Sequence, residues 1–583
     1  MKLGRNIFLI MTISISLFGM EYVPNQPIFK TTSVKQINNR TIGLDDFDDF
    51  LAERDIDNLK SILPKSDNKY FVATFINDIY WDNIKNYQFD GIEYFQPNYL
   101  NEFYLHPNDP EFPNQQAHLD NCNIPQSWDY TVGNEQIVVG IVDSGIHFDH
   151  PDLQNNIFIN QNEIPDDGVD NDDNGYIDDV HGWDFVDAPE LSSIALGDYL
   201  QQDNDPDDEL NHGTHVAGII SADTNNDEGV SGISWNSKLL IVRSGFKTMN
   251  GGYLQDDDAA AGIIYAADMG ADVINLSWGD TNYSQIIADA CYYAYNMGSI
   301  IVVAAGNEGA TVEHKVVYPA QLSTTLAIGA IDIYKNLASF SSYGPQIDLV
   351  APGQQILSTY DTIPEDLYKE QSGTSMAAPF VSGAIALLLS VESGLDFPEV
   401  RGRLISSAQD LGDEGFDHFF GNGLLDAYSM LTQITYPVIE IATPQDNSGL
   451  NSTFDIVGTV QSPNFWRYSV KYTSKEMPAP IDWHDVDPDN PDYFEQVEDD
   501  LIAQFVVDDY TPDDTYQIKI EITTSDNQHY NYFRTIIIDQ TAPEFYADYA
   551  AYMKRYSAEI PEYYIQALFD EDVNIFLRQH PSS

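Results

Sequence analysis

Four short apolar runs recur through the middle of the chain, at residues 137–142, 239–242, 273–276 and 300–304, interrupted only by Gly140 and Asn275. Runs of this length without alternation are expected of strands buried on both faces, as in a parallel sheet. Between them, residues 214–222, 256–269 and 284–297 carry the helical repeat of apolar positions. Strand–helix alternation predicts an α/β fold built on a doubly wound, mostly parallel sheet. In such sheets the ligand site lies beyond the carboxyl ends of the strands.

The pattern differs on either side. Residues 70–76 alternate as a strand does, and so does the aromatic-rich stretch 91–105, which predicts a small N-terminal α+β unit ahead of a linker rich in proline (Pro107, Pro110, Pro113). After Tyr436-Pro437 the helical pattern stops. Alternating segments at 453–460, 468–472, 501–507, 516–523 and 532–538 predict an antiparallel β-sandwich, immunoglobulin- or fibronectin-like in style. At the start, Lys2 and Arg5 precede an apolar run at 7–18, too short to span a bilayer, which reads as a secretion signal. The division expected is therefore 1–20 signal peptide, 21–112 α+β unit, 113–433 α/β unit, 434–540 β-sandwich, and 541–583 a tail or the start of a further unit.

Charge narrows the partners. The chain carries 92 Asp+Glu against 26 Lys+Arg, a formal net charge of −66, which argues against nucleic acid and anionic membranes. Solubility, cation binding and a saline habitat all fit that balance. Membrane contact is expected only through the signal peptide, with a secreted monomer as the product; attachment at the cell surface is the alternative. The two cysteines, Cys122 and Cys291, make no disulfide framework.

Each predicted strand end carries polar residues. The first runs into Asp143-Ser144-Gly145, the third into Ser277-Trp278-Gly279, and the fourth into Gly306-Asn307-Glu308-Gly309. Asn211-His212-Gly213-Thr214-His215 opens a helix. In Gly373-Thr374-Ser375-Met376-Ala377-Ala378-Pro379 a small-residue turn delivers a serine to the start of a long apolar helix, and Pro379 is expected in its first turn. These parts suit acyl transfer. A serine nucleophile (Ser375) needs a neutral imidazole within reach (His212), and the imidazole needs a carboxylate to fix its tautomer (Asp143). The oxyanion needs preorganised donors, here the Asn307 amide and the Ser375 backbone N–H at a helix start. The G-x-S-x-G of an α/β-hydrolase esterase is absent around Ser375.

One further motif lies between Asp143 and His212. Asp170-Asn171-Asp172-Asp173-Asn174-Gly175-Tyr176-Ile177-Asp178 follows the calcium-loop pattern D-x-D-x-N-G, with oxygen ligands at alternate positions (Asp170, Asp172, Asn174, Tyr176). Position twelve is His181 where a full loop has a bidentate Glu, so Asp178 or Asp179 is expected to close the site.

Taken together, Val142 to Gly145, His212 to Gly218, Ala304 to Gly309 and Gly373 to Pro379, in that order, closely resemble the signatures of the subtilases, the subtilisin-like serine endopeptidases. The resemblance covers about residues 115 to 432. It implies secreted hydrolysis of extended polypeptides, with Ser375 nucleophile, His212 base, Asp143 orienting carboxylate and Asn307 oxyanion donor. It also implies substrate strands beside Ser277, Trp278 and Gly279 and beside Gly252, and a first specificity pocket between Ser277–Gly279 and Ala304–Gly306. With Glu308 at its rim, a basic or large apolar residue is expected there. A second calcium site is implied at the side-chain oxygens of Asp152 and Asn226 and the backbone carbonyls of Thr224, Glu228 and Val230. Glu93 to Tyr99, then Asn108-Asp109-Pro110, resemble the junction that follows a propeptide, which implies that 21–112 acts as an intramolecular inhibitor cut off between about residues 103 and 116. The competing reading is a catalytically silent subtilase fold used for binding or adhesion.

Overall fold

A computed structural model of the chain describes residues 25–32, 38, 40–62, 70–77, 87–98, 106–311, 315–362, 366–474, 483–508 and 511–540. The expected signal peptide and the tail at 541–583 lie outside the described residues. The chain divides into two compact units, Met1–Tyr104 and Leu105–Ser583.

The first unit contains β1 (Ile28–Thr31), α1 (Asp45–Glu53), β2 (Ile56–Ser61), β3 (Tyr70–Phe75) and β4 (Ile92–Gln96). Its antiparallel sheet runs β2-β3-β1-β4. Alternate residues of β3 (Phe71, Ala73, Phe75) are buried with Phe29, Phe47, Phe50 and Leu51. Asp48, in the first turn of α1, accepts hydrogen bonds from the Ile42 and Gly43 amides at 2.8 and 2.7 Å, where the helix start favours negative charge.

The second unit opens with α2 (Phe112–Asn121), α3 (Ile124–Trp128), β5 (Val138–Asp143), β6 (Gly182–Asp184), β7 (Ala195–Leu196) and α4 (His212–Ser221). It continues through β8 (Lys238–Arg243), β9 (Gly245–Thr248), β10 (Gly251–Leu254), α5 (Asp256–Asp268), β11 (Val273–Leu276), α6 (Gln285–Met297) and β12 (Ile300–Ala304). β13 (Thr325–Ile331), β14 (Leu349–Pro352), β15 (Ile356–Thr362), β16 (Asp366–Gln371), α7 (Thr374–Val391), α8 (Phe397–Ser407) and α9 (Ala427–Thr432) complete the α/β part. A seven-stranded sheet runs β14-β13-β12-β11-β5-β8-β6 with every pair parallel. From β5 the chain first adds β6 at the edge and β8 between β6 and β5, and then returns to place β11 on the other side. The strand order thus reverses between β5 and β11, the place where a crevice opens in a doubly wound sheet.

α7 packs on β11, β12, β13 and β14. It is the one helix among the described residues long and apolar enough to cross a membrane, and its apolar window is 83% buried here, as a core helix is. Pro379 lies inside α7 rather than in its first turn, which corrects the expectation. A proline there cannot bond the carbonyl four residues back, that of Ser375. The Ser277 hydroxyl donates to that carbonyl instead, at 2.9 Å, so the helix tolerates the proline because a neighbouring strand end supplies the missing donor. Both cysteines are buried free thiols.

The remaining strands are β17 (Val438–Thr443), β18 (Ser448–Leu450), β19 (Phe454–Gln461), β20 (Phe465–Ser474), β21 (His484–Asp485), β22 (Val497–Phe505), β23 (Asp514–Thr524) and β24 (His529–Ile538). They form sheets β17-β19-β22 and β18-β24-β23-β20-β21 around a shared core that includes Ile456, Val460, Ile518, Ile520 and Ile536. β18 pairs parallel with β24, so the sandwich is not wholly antiparallel. Buried Arg534 of β24 and Asp446 join it to the α/β part. Asp446 Oδ2 accepts from Arg534 at 3.1 Å, from the Ser323 amide and hydroxyl at 2.8 and 2.6 Å, and from the Tyr292 hydroxyl at 3.0 Å. Asp446→Ala strands a buried guanidinium. It is expected to cost about 3–5 kcal/mol in urea unfolding, whereas a loss below about 1 kcal/mol would show that this contact does not hold the sandwich.

Candidate active site

Asp143 ends β5 and is 2% exposed. Its Oδ1 accepts from the Ser144 amide and lies 2.7 Å from His212 Nδ1. Its Oδ2 is buried with no protein partner. His212 is the first residue of α4 and keeps 33% of its side chain exposed. The preceding Asn211 turns through the left-handed region (φ 66°) without capping the helix by its side chain. Asp208 takes over that work: buried, it accepts from the Leu210, Asn211 and Thr214 amides at 2.8, 2.9 and 2.9 Å and from the Ser144 hydroxyl at 2.9 Å. The Ser144 hydroxyl in turn accepts from the Gly213 amide at 3.0 Å. One carboxylate therefore ties the turn after β5 to the first turn of α4. A Cβ on Gly213 would stand 2.1 Å from the Gly145 carbonyl, so only glycine lets the two turns abut.

The electrostatics follow from this packing. Burial pulls the His212 pKa down, but the Asp143 charge and hydrogen bond, with Asp208 behind, outweigh it and leave the imidazole above its ordinary value.

Ser375 is the second residue of α7. Its hydroxyl donates to the Ser277 carbonyl at 2.9 Å, so in this structure it is not bonded to His212. Catalytic hydrogen bonds of this kind often form only once substrate is present. Asn307 follows β12 by three residues. Its Oδ1 accepts from the Thr374 amide at 3.0 Å and hydroxyl at 3.1 Å, which aims the Nδ2 donor the other way. The Ser277 hydroxyl also accepts from Asn275 at 2.9 Å, and Asn275 accepts from Ser382 at 2.8 Å. Asn275, the polar break in an apolar strand, was a visible signal without an evident purpose in sequence alone.

Ser277, Trp278 and Gly279 follow β11, and Ala304 and Gly306 lie at the end of the adjacent β12. The Trp278 indole donates to the Val142 carbonyl at 2.8 Å, next to Asp143. Gly252 lies on β10 in a separate sheet, β10-β9-β7, where a Cβ would stand 2.6 Å from Leu210, two residues before His212.

Two acidic groupings bear on the calcium expectations. Asp152, Asn226 and Val230 come together: Asp152 accepts from Asn226 Nδ2 at 2.8 Å and from the Val230 amide at 2.9 Å. The Thr224 hydroxyl donates to the Ala222 carbonyl and accepts from the Gly232 amide, and the Glu228 amide donates to Asn226 Oδ1. Asp109, absent from the sequence-based set, is 3% exposed and binds the amides of Asn225 and Asn226. Burial, with Asp109 and Asp223 nearby, pushes the Asp152 carboxyl up to about 8 despite those two donors. Asp223 is also buried and has one oxygen without a partner. Buried carboxylates with no ion pair to Asp109 or Asp152 among the described residues fit a divalent cation.

In the 170–178 loop, carboxylate oxygens of Asp170, Asp172 and Glu163 lie within 4.8 Å of one another. Asn174 accepts from the Tyr176 amide. Asp178 faces elsewhere, with both oxygens on the Asp167 and Gly168 amides. Glu163, from upstream, stands where Asp178 was expected, because its other oxygen accepts from the Asp178 amide and folds the loop back on it. This oxygen-rich set also fits calcium.

Comparison with known proteins adds the lineage. The model of the subtilase family matches residues 134–423. The thermophilic serine proteinase of Bacillus sp. strain AK1 is 36% identical over 341 residues, 58% of this chain and 73% of that protein. Thermitase of Thermoactinomyces vulgaris is 35% identical over 322 residues, 55% of this chain and 98% of that protein. Halolysin of Haloferax mediterranei is 39% identical over 343 residues, 59% of this chain and 58% of that protein. A chain with this sheet, this family match and this likeness to a serine proteinase over 73% of that protein's length belongs to the subtilase family and is a subtilisin-like serine endopeptidase.

Proposed function

We propose that the protein is a secreted endopeptidase that cleaves extended polypeptides through an acyl-enzyme. Ser375 attacks the carbonyl carbon while His212 takes its proton. Asp143 holds the imidazole in the tautomer with its proton on Nδ1 and stabilises the cation that forms. Asn307 Nδ2 and the Ser375 amide receive the developing oxyanion. His212 then returns the proton to the departing amine, and water repeats the cycle on the ester. The observation that carries this reading is the 2.7 Å contact between buried Asp143 and partly exposed His212, beside the strand ends that also bear Ser277 and Asn307. A fluorophosphonate probe tests it. One equivalent should attach at Ser375, and labelling elsewhere, or none in protein that cleaves peptides, would sink it.

Residues 21–112 are proposed to act as the propeptide, an inhibitor of the same chain, and 434–540 as an appended β-sandwich. The Asp109–Asp152–Asn226 and Glu163–Asp170–Asp172 groups are proposed to hold calcium, which would neutralise carboxylates that otherwise repel one another. Excess EGTA is expected to lower Tm by several degrees, with recovery on adding calcium; an unchanged melting curve would count against both sites. Secretion is supported by the N-terminal apolar run, and one relative, from Natrialba magadii, is named a halolysin-like extracellular serine protease.

A further inference from the structure

The contact between Asp143 and His212 joins turns that are 69 residues apart in sequence. A second bond runs beside it. The Gly213 amide, next to His212, donates at 3.0 Å to the hydroxyl of Ser144, next to Asp143. Asp143, Ser144, Gly213 and His212 thus close a ring of two peptide links and two hydrogen bonds. The ring stays shut only while the Ser144 oxygen accepts from Gly213. A hydroxyl carries one proton and turns it toward whichever acceptor is offered.

Asp208 decides where that proton goes. Its Oδ1 accepts from the Ser144 hydroxyl at 2.9 Å, which leaves the serine lone pairs to receive the Gly213 amide. Asp208 is 1% exposed, and a buried carboxylate is costly to keep unless its oxygens are bonded. Holding the start of α4 accounts for part of the arrangement. Oδ1 also accepts from the Leu210 and Asn211 amides, and Oδ2 accepts from the Thr214 amide and hydroxyl at 2.9 and 2.7 Å. It does not account for the bond to Ser144, which belongs to the turn after β5. Nor does Asp208 occupy the capping position. Asn211 does, and its side chain accepts instead from the Asp361 amide at 2.6 Å. The segment that carries Asp208 is itself fixed to the same turn, because the Ile146 amide donates to the Pro206 carbonyl at 3.2 Å. The Asp208 charge also stands behind Asp143 and adds to its pull on the imidazole.

We propose that Asp208 and Ser144 are positioning residues for the reaction: Asp208 orients the Ser144 hydroxyl, and that hydroxyl holds the turns of Asp143 and His212 at bonding distance. This rests on the proposed catalytic geometry. Neither residue makes a bond to substrate in that geometry. Their loss therefore lowers the rate of bond making rather than the affinity for substrate.

The test uses the full chain, with active enzyme counted by fluorophosphonate titration. Ser144→Ala removes the relay and leaves the other bonds of Asp208 in place. Asp208→Asn keeps the shape, but its amide nitrogen must face the Thr214 amide on one side or the Leu210 and Asn211 amides on the other, donor against donor. Each change is expected to lower kcat by roughly 10- to 100-fold, since a misplacement of about 1 Å caused far from the chemistry can cost about 10²-fold. KM should stay within about twofold of wild type. The double variant should lose little more than the worse single one, because both changes act on the same contact. In proton NMR, the far-downfield resonance of the His212 Nδ1–H bonded to Asp143 should shift or broaden in both. If Asp208→Asn folds poorly, Ser144→Ala decides by itself. Four results would each overturn the inference and leave the catalytic reading intact: a kcat within about twofold of wild type in fully titratable Ser144→Ala, a loss confined to KM, a double loss equal to the product of the single ones, or an unmoved resonance. Failure of the probe to label wild type would overturn both.

Discussion

Replacing Ser375 by alanine is expected to lower kcat by about six orders of magnitude, the size of loss that subtilisin, a member of the same family, shows when its nucleophile is removed. The fold should survive. The carbonyl of residue 375, which accepts from Ser277 in place of the proline N–H, belongs to the backbone and is retained, and Thr374 still holds Asn307. The lost hydroxyl gives up one bond, to the Ser277 carbonyl, a change on the order of 1 kcal/mol. Steady-state kinetics together with a urea titration separate the two effects. A variant with near-normal stability and a kcat within tenfold of wild type would refute the nucleophile assignment. Some hydrolysis above the uncatalysed rate, by about 10³–10⁴, should remain, because the oxyanion donors and the substrate strips do not depend on the hydroxyl.

The second large effect is expected from Asp143→Asn, about 10⁴-fold in kcat near neutral pH. An asparagine can occupy the same space, but it can present an N–H to His212 Nδ1, which then keeps its proton on the nitrogen that must accept one from Ser375. The same change has a pH signature. The His212 pKa stands above its ordinary value because the Asp143 charge and hydrogen bond outweigh the opposing burial. The base works only when neutral, so activity rises as pH climbs through that pKa. Removing the charge lowers the pKa, and the acid limb of kcat/KM should therefore move to lower pH even as the plateau falls. Measured profiles that keep the same acid limb in both proteins would show that His212 is not the titrating base, or that Asp143 does not set its pKa.

Much of the α/β part was legible because buried parallel strands and the helices between them leave local marks. The runs at 273–276 and 300–304 coincide with β11 and β12, and those at 137–142 and 239–242 differ from β5 and β8 by one residue at each end. Each polar strand end could be noticed for the same reason, as a break in a run. Pro379 was misplaced because the rule for proline in helices considers only the helix itself, and the compensating donor, Ser277, is nearly a hundred residues away in sequence. The loop at 170–178 was recognised from its spacing, yet its third carboxylate came from Glu163, outside the motif, because closure of an acidic loop depends on which chain passes over it.

What the sequence by itself determined is four central strands and the polar turns that follow them: a chain with these apolar runs buries them as a parallel sheet, and the polar residues at their ends have nowhere to go but its edge. What only the tertiary structure decided is which distant groups stand behind those residues. Asp208, which ties the turn after β5 to the turn into His212, and Asp109 beside Asp152 are separated in sequence from what they touch. No periodicity records them, because a contact between distant segments depends on how whole layers pack and leaves no repeat along the chain.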